Sequence, residues 1–382
     1  MKFAHLGDCH LGGWRHPELK ELNLRSFQEA ISVCIREQVN FVLISGDLFD
    51  SAYPPIDILK EAFFEFRKLR DAKIPVFLIA GSHDYSVSGK TFLDVLEKAG
   101  LCKNLSSFEE RDGKILLSPV ICNGAAIYGF GGRKSGLEVE DISKIKLQDS
   151  PGLFKILMLH TTIRDAVGGL PIPAVDEKNL PKTDYMALSH LHISYNKDGK
   201  VYSGPIFPNN ISELEELKNG FFYLYSNGKV YKHEIKLKEV VALNVKINNA
   251  LSATEEIISM IKKENLIGKI LILKLYGIIG HGKTSDIEFQ RIEAEAKKCG
   301  AFVVIKNTSK LSLPEQDLNI SIIDAPNLEH EIINNYEQKN PNKFNFLIKS
   351  LSSSLQIEKL EDEKNSSFED RLLSEAKKIL EI

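Results

Sequence analysis

The chain has 382 residues, of which 43% are hydrophobic and 26% charged, a composition typical of an ordinary soluble globular protein with two or three domains. No apolar stretch reaches ~18 residues and residues 1–3 lead directly into an apolar run, so we expect neither a membrane span nor a signal peptide. The formal net charge of −3 gives no sign of nucleic-acid binding, and five cysteines without CxxC spacing indicate reduced thiols in a cytoplasm and argue against zinc.

The first half of the chain alternates apolar runs with amphipathic segments. Apolar runs at 2–6, 41–45 and 75–80 are typical of buried strands, and helical periods at 19–34 and 58–69 lie between them. This order of elements predicts a βαβαβ unit and therefore a parallel sheet.

After residue 105 the chain changes to short β segments that are separated by turn residues. Turn residues at 196–199 and 226–228 predict hairpins, and apolar runs at 154–159 and 185–189 predict further strands. We therefore expect a second, mostly antiparallel sheet that packs on the first, in a four-layer α/β/β/α sandwich over residues 1–237.

A new alternation of predicted strands and helices begins near residue 240, in the order strand, helix, strand, helix, strand. It extends over about 70 residues, which is enough for a small α/β domain at 238–324. Residues 241–311 carry 11 Lys and Arg against 7 Asp and Glu, which suits contact with phosphates, although a solvated face explains the charge equally well. A polar linker at 325–365 leads to a helix at 366–382, for which we expect no intramolecular core. The apolar face of that helix consists of Phe368, Leu372, Leu373, Ala376, Ile379 and Leu380.

Five apolar runs each end at histidines or carboxylates, which are Asp8 and His10, Asp47 and Asp50, His83 and Asp84, His160, and His190 and His192. Open α/β sheets bind ligands at the carboxyl ends of their strands. Aspartate and histidine bind divalent metals, and a pair of metals about 3.5–4 Å apart is a common device for phosphoester hydrolysis. The set therefore predicts a dinuclear metal site.

Asp47 is the best candidate to bridge two cations. It follows Gly46, which allows a sharp turn, and its carboxylate has two oxygens to share. An Asp-x-His or His-x-His triplet on an extended strand end places both side chains on one face, but such a triplet alone is a weak signal. The prediction rests on the whole ordered set.

The order Asp-x-His, Gly-Asp-x-x-Asp, Gly-x-His-Asp, a lone His and His-x-His resembles the calcineurin-like metallophosphoesterase superfamily. Within it, residues 1–12, 45–50 and 74–84 are similar to the SbcD / Mre-eleven nucleases of DNA double-strand-break repair. This nuclease resemblance covers about residues 1–235. It implies a homodimeric, Mn²⁺-dependent exonuclease and single-strand endonuclease that processes DNA ends.

Residue by residue, the resemblance implies two Mn²⁺ ions, with Mg²⁺ as an alternative in one site. It assigns Asp8, His10, Asp47 and His192 to one ion, and Asp47, Ser82, His160 and His190 to the other. The family usually has Asn at position 82, and because a Ser hydroxyl is a shorter and poorer ligand we expect the second ion to be weak. Ser189 likewise stands where a glycine is usual.

Two further residues near these ligands have expected roles in the chemistry. His83 would stabilise the transition state or protonate the leaving oxygen. Asp50 is expected to orient a ligand rather than to bind metal.

The resemblance also assigns roles to the second half of the chain. The small α/β domain stands where the family has its DNA-capping domain. The terminal helix stands where the family binds the coiled coil of an SMC-like ATPase, Rad-fifty or SbcC. Two alternatives stay open, a small-molecule phosphodiesterase with the same ligands and a DNA-end tether with little or no catalysis because of Ser82.

A few residues near the predicted site keep two interpretations. Cys9 is expected to be a core residue, since it lies between two presumed ligands and points to the opposite face of an extended chain. His5 is expected in the core because it lies inside the first strand. Trp14 either packs or stacks on a base. Arg133 and Lys134 are candidates to contact a phosphate.

Overall fold

The structure, a computed structural model, describes residues 1–86, 90–132, 138–313, 333–334, 336–338, 340–358 and 365–380. The chain forms two compact units, Met1–Ser312 and Leu313–Ile382. The first unit contains the strands and helices of both predicted domains, whose boundaries at residues 237 and 324 stay predictions. In the described ranges, no helix is long and apolar enough to cross a membrane.

The strands, numbered in chain order, are β1 (Lys2–Leu6), β2 (Phe41–Ile44), β3 (Val76–Leu78), β4 (Lys103–Asn104), β5 (Glu109–Arg111), β6 (Lys114–Leu117), β7 (Val120–Cys122), β8 (Ala125–Phe130), β9 (Ile145–Leu147), β10 (Phe154–His160), β11 (Tyr185–Ser189), β12 (Tyr195–Lys197), β13 (Lys200–Tyr202), β14 (Gly220–Ser226), β15 (Lys229–Ile235), β16 (Val240–Lys246), β17 (Ile270–Ile278) and β18 (Val303–Ser312). The helices of the first unit are α1 (Pro17–Arg36), α2 (Ile56–Asp71), α3 (Phe92–Lys98), α4 (Glu138–Ile142), α5 (Arg164–Val167), α6 (Ile211–Leu217), α7 (Ala250–Ile261) and α8 (Phe289–Lys298). Short 3₁₀ segments lie at Glu177–Asn179, Thr284–Asp286 and Asn345–Leu347.

The first sheet has the strand order β15-β14-β1-β2-β3-β4, and its strands β1 to β4 are parallel, as the βαβαβ pattern predicts. The antiparallel pair β14–β15 is the predicted hairpin. Its turn residues Asn227 and Gly228 have φ values of 51° and 80°, the left-handed backbone that a type I′ turn requires.

The second sheet has the order β12-β13-β11-β10-β8-β7, and the prediction that it is mostly antiparallel is wrong. Strands β8, β10, β11 and β13 are parallel, and only the edge pairs β12–β13 and β7–β8 are antiparallel. The turn signals in the sequence belong to these edge pairs. The central strands are joined by long crossovers that contain α4 and α5, and such crossovers make parallel neighbours.

The two sheets pack face to face, with Phe3 and Phe41 of the first against Ile156 and Tyr185 of the second. Helices α1 and α2 cover the outer face of the first sheet. The outer face of the second sheet is covered by α4 and a small sheet of order β5-β6-β9. The predicted four-layer sandwich is confirmed, and its last layer combines a short helix with a small sheet.

The βαβαβ segment after residue 240 forms a three-stranded parallel sheet of order β16-β17-β18. Helices α7 and α8 pack on one face of this sheet and bury the core residues Ile257, Leu273 and Ile292. The other face packs Ile270 and other residues against α1 and α6 of the sandwich. The small sheet therefore lies directly beside the helices that follow the first strand and the His-x-His segment.

The second unit contains the helices Ile348–Leu355 and Asn365–Leu380. The latter is the predicted terminal helix, and residues 381–382 lie outside the described residues. The two helices contact each other. The expectation that the terminal helix has no intramolecular core to cover stays a prediction. Leu373 and Leu380 nevertheless stay 54% and 41% exposed, which leaves part of its apolar face open.

Candidate metal centre

The ends of five strands from both sheets bring the predicted site residues together. Asp8 and His10 follow β1, Asp47 follows β2, Ser82 and His83 follow β3, His160 ends β10, and His190 and His192 follow β11. Asp8, His10, Asp47 and His160 are buried, whereas His83 and His190 are exposed. The centre thus has a buried floor of carboxylates and imidazoles and an open side.

The backbone at this centre is strained. Asp8, His10, Asp47 and His190 have φ values of 48°, 41°, 49° and 102°, in the left-handed region that non-glycine residues seldom adopt. Each such residue costs on the order of 1–3 kcal/mol, and such strain clusters at functional sites where the surroundings enforce it. Four strained residues in one cluster therefore indicate a site that is held for function.

One group of donors comprises Asp8, His10 and His192, whose ligand atoms all lie within 4.8 Å of one another. The His192 Nε2 atom is 3.9 Å from Asp8 Oδ1. Asp47 Oδ2 lies 3.6 Å from His10 Nε2, so the Asp47 carboxylate also faces this group.

A second group comprises Asp8, Asp47 and His160, again with ligand atoms within 4.8 Å of one another. His160 Nε2 lies 3.2 Å from Asp47 Oδ2 and 3.3 Å from His190 Nδ1. Ser82 Oγ lies 3.5 Å from Asp47 Oδ2. Asp47 is therefore within reach of both groups, which is the position that a bridging ligand requires.

The donor set suits divalent cations, and one atom in particular calls for a partner. His10 Nε2 is buried and has no hydrogen-bond partner in the part of the chain that the structure describes. Buried polar atoms almost always have a partner. Asp50 Oδ1 lies 3.0 Å from His10 Nδ1, so the ring is fixed with Nε2 toward the carboxylates. A cation held by Asp8, His10 and His192 would satisfy this nitrogen.

Three residues orient the histidines of the centre through their second ring nitrogen. Asp50 contacts His10, as the sequence predicts, and Glu213 Oε1 lies 2.9 Å from His192 Nδ1. Ser189 Oγ lies 2.9 Å from His160 Nδ1 and donates to the Ser45 carbonyl, which leaves Nδ1 of His160 as the donor. Such contacts set the tautomer and direction of a metal ligand. Ser189, in place of the usual glycine, thus supports a ligand.

Asp84 joins two of the strand-end loops. Its carboxylate accepts the backbone N–H groups of Leu48, Phe49 and Gly81 at 3.1, 3.0 and 3.1 Å. Burial and the neighbouring Asp47 carboxylate raise the pKa of Asp84 to about 6, against these hydrogen bonds. The sequence places Asp84 only within the set of strand-end histidines and carboxylates, and nothing in its motif indicates that it bonds a loop more than thirty residues away.

The carboxylates of the centre raise the pKa of two of its histidines and so favour their protonated, positively charged forms. Burial lowers the pKa of His160, but the Asp47 carboxylate outweighs burial and raises it to about 9. Burial also lowers the pKa of His192, and Glu213 raises it to about 9. Burial and His160 lower the pKa of His190 to about 4. A site that favours positive charge in this way also favours a divalent cation.

His83 lies at the open side of the centre. Its backbone N–H donates to Asp47 Oδ1 at 2.8 Å, and its Nδ1 lies 2.9 Å from the Asp50 carbonyl oxygen. The His83 side chain is 47% exposed, and its ring packs edge-on against His10 at 4.6 Å between centroids. The side chain can therefore meet a substrate, and its catalytic role stays a prediction.

The remaining residues from the sequence analysis have simpler outcomes. His5 and Cys9 are buried core residues, as expected. Trp14 is partly buried and its Nε1 donates to the Pro208 carbonyl at 2.8 Å, which agrees with the packing interpretation. Arg133 and Lys134 lie outside the described residues.

Fold and centre together are those of a phosphoesterase, and the comparison with known families agrees. The sequence model of the calcineurin-like phosphoesterase family matches residues 1–194, about half of the chain. The chain therefore belongs to the calcineurin-like phosphoesterase family.

Several individual proteins are also similar in sequence to this chain. The chain is 26% identical over 343 residues to the DNA double-strand break repair protein Mre11 of Methanosarcina mazei, which covers 85% of this chain and 52% of that protein. It is 25% identical over 356 residues to the protein of the same name from Sulfolobus acidocaldarius, with 88% and 90% covered. It is 28% identical over 251 residues to the uncharacterized metallophosphoesterase YhaO of Bacillus subtilis, with 60% and 59% covered. The chain thus spans about half the length of the Methanosarcina relative.

Proposed function

We propose that this chain is a metal-dependent DNA nuclease that processes the ends of double-strand breaks. The observation that carries the proposal is the convergence of two donor groups on Asp47 at the strand ends of a phosphoesterase fold. Relatives that are named as DNA double-strand break repair proteins, over most of this chain, support DNA as the substrate.

The proposed ligands divide into two sets that share Asp47. Asp8, His10, Asp47 and His192 would hold one cation, and Asp47, Ser82, His160 and His190 would hold the other. We propose Mn²⁺ for both, with Mg²⁺ as an alternative in one, and such ions activate water and stabilise the charge on phosphate oxygens. The protein's part is to fix the ligands, through Asp50, Glu213 and Ser189.

His83 would act on the substrate itself. The Asp50 carbonyl binds its Nδ1 at 2.9 Å, which leaves Nε2 as the nitrogen that meets a phosphate or leaving oxygen. From this position the imidazolium form of His83 would give its Nε2 proton to the leaving oxygen, or would stabilise the charge of the transition state. Acid–base assistance of this kind is typically worth about 10²–10⁴ in rate.

The proposed partners follow from the same relatives and from two exposed surfaces. Tyr53, Ile56 and Phe64 are 70%, 83% and 53% exposed near and on α2, which supports a homodimer contact at this helix. The open part of the helix Asn365–Leu380 supports docking to the coiled coil of an SMC-like ATPase of the Rad-fifty or SbcC type. We further propose that the complex works in the cytoplasm.

The test is a nuclease assay on labelled single-stranded and linear duplex DNA with Mn²⁺, Mg²⁺ or a chelator. A chromogenic phosphodiester is assayed in parallel, and Asp47→Asn is the inactive control because Asn keeps the shape of the side chain. Metal-dependent cleavage of DNA supports the proposal. Hydrolysis of the diester without DNA cleavage would indicate a small-molecule phosphodiesterase, and DNA binding without any turnover would indicate a tether.

A further inference from the structure

His5 is a fully buried histidine that the proposed metal chemistry does not use. It lies in β1, and its ring contacts the Tyr185 ring in the core between the two sheets. A polar group in such a core costs free energy unless it has hydrogen-bond partners. Both ring nitrogens have partners, since Nδ1 lies 3.0 Å from Tyr185 Oη and Nε2 lies 2.9 Å from Ser45 Oγ. The ring therefore connects β1 with the start of β11 and with the residue that follows β2.

We propose that His5 is a positioning residue for the second cation group, and that it acts on His160 through Ser45. The inference rests on the proposed function, because it assumes that His160 is one of the ligands of a cation. It adds to that function a buried residue whose hydrogen bonds reach the ligand through a neighbour.

The hydrogen bonds around His5 determine where its proton lies. The Ser45 hydroxyl donates to the Leu6 carbonyl at 3.2 Å, so the Ser45 oxygen accepts the proton on His5 Nε2. Nδ1 of His5 then has a free lone pair and accepts the Tyr185 hydroxyl. Burial lowers the pKa of His5 to about 3, which agrees with a neutral ring that carries a single N–H. The ring thus holds the Ser45 side chain in one direction.

Ser45 is the link between His5 and the metal centre. Its carbonyl oxygen lies 3.2 Å from His160 Nδ1 and accepts the Ser189 hydroxyl, which itself lies 2.9 Å from the same nitrogen. With Nδ1 held in this way, the other nitrogen of His160, Nε2, lies 3.2 Å from Asp47 Oδ2. A displacement of the Ser45 carbonyl would therefore turn the His160 ring away from the shared carboxylate.

The surroundings of Ser45 leave little space for another arrangement. A Cβ atom at Gly7 would lie 2.7 Å from Ser45 Oγ and 2.7 Å from the Cβ of Ser189, and a Cβ at Gly46 would overlap the His160 ring. Closely packed interiors have low compressibility and transmit strain. Loss of the bond between His5 and Ser45 should for this reason change the position of His160.

The two cation groups are supported by different contacts, which makes the proposal specific. His10 and His192 of the first group are held by Asp50 and Glu213. The hydrogen bonds that start at His5 end at the histidine of the second group. A residue that merely joined the two sheets would instead affect both groups alike, through the stability of the fold.

The experiment titrates Mn²⁺ into the full chain without DNA. Electron paramagnetic resonance measures free Mn²⁺ and the signal of a magnetically coupled ion pair. In His5→Phe we expect the second ion to bind about 10-fold more weakly, the lower end of the loss that follows removal of a ligand's direct partner. The first ion should bind as in the wild type, and DNA cleavage should return toward the wild-type rate at saturating Mn²⁺.

Two polar substitutions test which nitrogen of His5 matters. The amide of glutamine lies near the position of Nε2 and can donate to Ser45, whereas the amide of asparagine ends near the position of Nδ1. His5→Gln should therefore keep the wild-type affinity for the second ion, and His5→Asn should lose as much as His5→Phe. This comparison also decides the question if His5→Phe does not fold.

Tyr128→Phe is the matched control for the loss of a buried hydrogen bond. It removes a hydroxyl that donates to the Gln148 carbonyl at 2.6 Å on the outer face of the second sheet. Thermal unfolding in chelator should show a loss of stability in both Tyr128→Phe and His5→Phe. The affinity for the second ion should fall only in His5→Phe.

Several results would overturn the proposal. Equal affinity for the second ion in His5→Asn, His5→Phe and the wild type would show that His5 is only a core residue. Equal weakening of both ions, or equal losses in His5→Gln and His5→Asn, would show that the bond to Ser45 does not act on His160. A wild type that never binds a second ion would remove the site itself. Failure of a wild type with two bound ions to cleave DNA would refute the nuclease function alone, because the titration contains no DNA.

Discussion

Glu213 fixes His192 at the proposed metal centre. The variant Glu213→Gln measures how much this contact contributes to the free energy of metal binding. The glutamate carboxylate lies 2.9 Å from His192 Nδ1 and accepts the Asn209 N–H at 2.9 Å through its other oxygen. Glutamine keeps the shape but removes the charge, so His192 becomes a less basic and less firmly oriented ligand. Loss of such a partner typically weakens metal binding about 10–100-fold, or roughly 1.4–2.7 kcal/mol.

The loss of Mn²⁺ affinity in Glu213→Gln depends on pH. Glu213 raises the pKa of His192 to about 9, so below that pH a proton competes with the cation for the imidazole. Near pH 7 this competition costs roughly 2.7 kcal/mol, at 1.36 kcal/mol for each pH unit below the pKa. In the variant the pKa of His192 falls toward its ordinary value and the competition is relieved. We therefore expect a small loss of Mn²⁺ affinity near pH 7 and a clearly larger loss near pH 8.5, where the competition has fallen to roughly 0.7 kcal/mol.

The assay is calorimetric titration of Mn²⁺ into both proteins at the two pH values, with half-maximal Mn²⁺ for diester hydrolysis as a second readout. Glu215→Gln is the matched control, because Glu215 lies on the same helix α6 but pairs with Lys274 at 2.6 Å. If Glu213→Gln and Glu215→Gln bind Mn²⁺ equally well at the higher pH, the contact does not support a metal ligand and the reasoning fails.

Four further predictions concern the ligands, the acid and the terminal helix. Asp47→Ala should abolish turnover in a folded protein, and a rate within about tenfold of the wild type, or ~1.4 kcal/mol, would contradict a bridging role. His83→Ala should retain two metals by anomalous scattering and lose at least ~10² in rate, whereas a variant that binds no metal would show that His83 is a ligand. Ser82→Asn should lower the Mn²⁺ concentration for half-maximal activity, since an amide oxygen reaches further than a hydroxyl, and an unchanged requirement would show that Ser82 suffices. Deletion of 366–382 should abolish co-purification with the ATPase but spare cleavage of single-stranded DNA, and wild-type stoichiometry in the pull-down would refute docking through this helix.

The first sheet and the small sheet were predictable because their signals are local. Each of β1, β2 and β3 is a continuous apolar run with an amphipathic helix after it, and the same holds for β16 and β17. The direction of the second sheet was not predictable in this way. The turn residues in the sequence indicate only the antiparallel pairs at the edges of this sheet. The parallel pairing of β8, β10 and β11 depends on the way in which the long crossover segments pack over the sheet.

The supporting residues of the centre illustrate a second limit. Glu213 lies 21 positions after His192, and Ser189 contacts a histidine 29 positions before it. Asn210 and Glu213 show the spacing of a helix N-terminus, and the Asn210 side chain does accept the Glu213 N–H at 2.9 Å. That signal locates the start of α6, but it contains no information about which histidine the carboxylate reaches.

The sequence by itself predicted which carboxylates and histidines converge, because each one lies at the end of a strand and the strand ends of layered sheets converge. It also determined the class of chemistry, since the donors are carboxylates and imidazoles around one aspartate that can be shared. The tertiary structure alone decided how the histidines of the centre are oriented, and that Asp84 joins its own loop to the loop at Leu48 and Phe49. These features depend on contacts between side chains far apart in the chain, and such contacts leave no periodicity or spacing for a sequence to show.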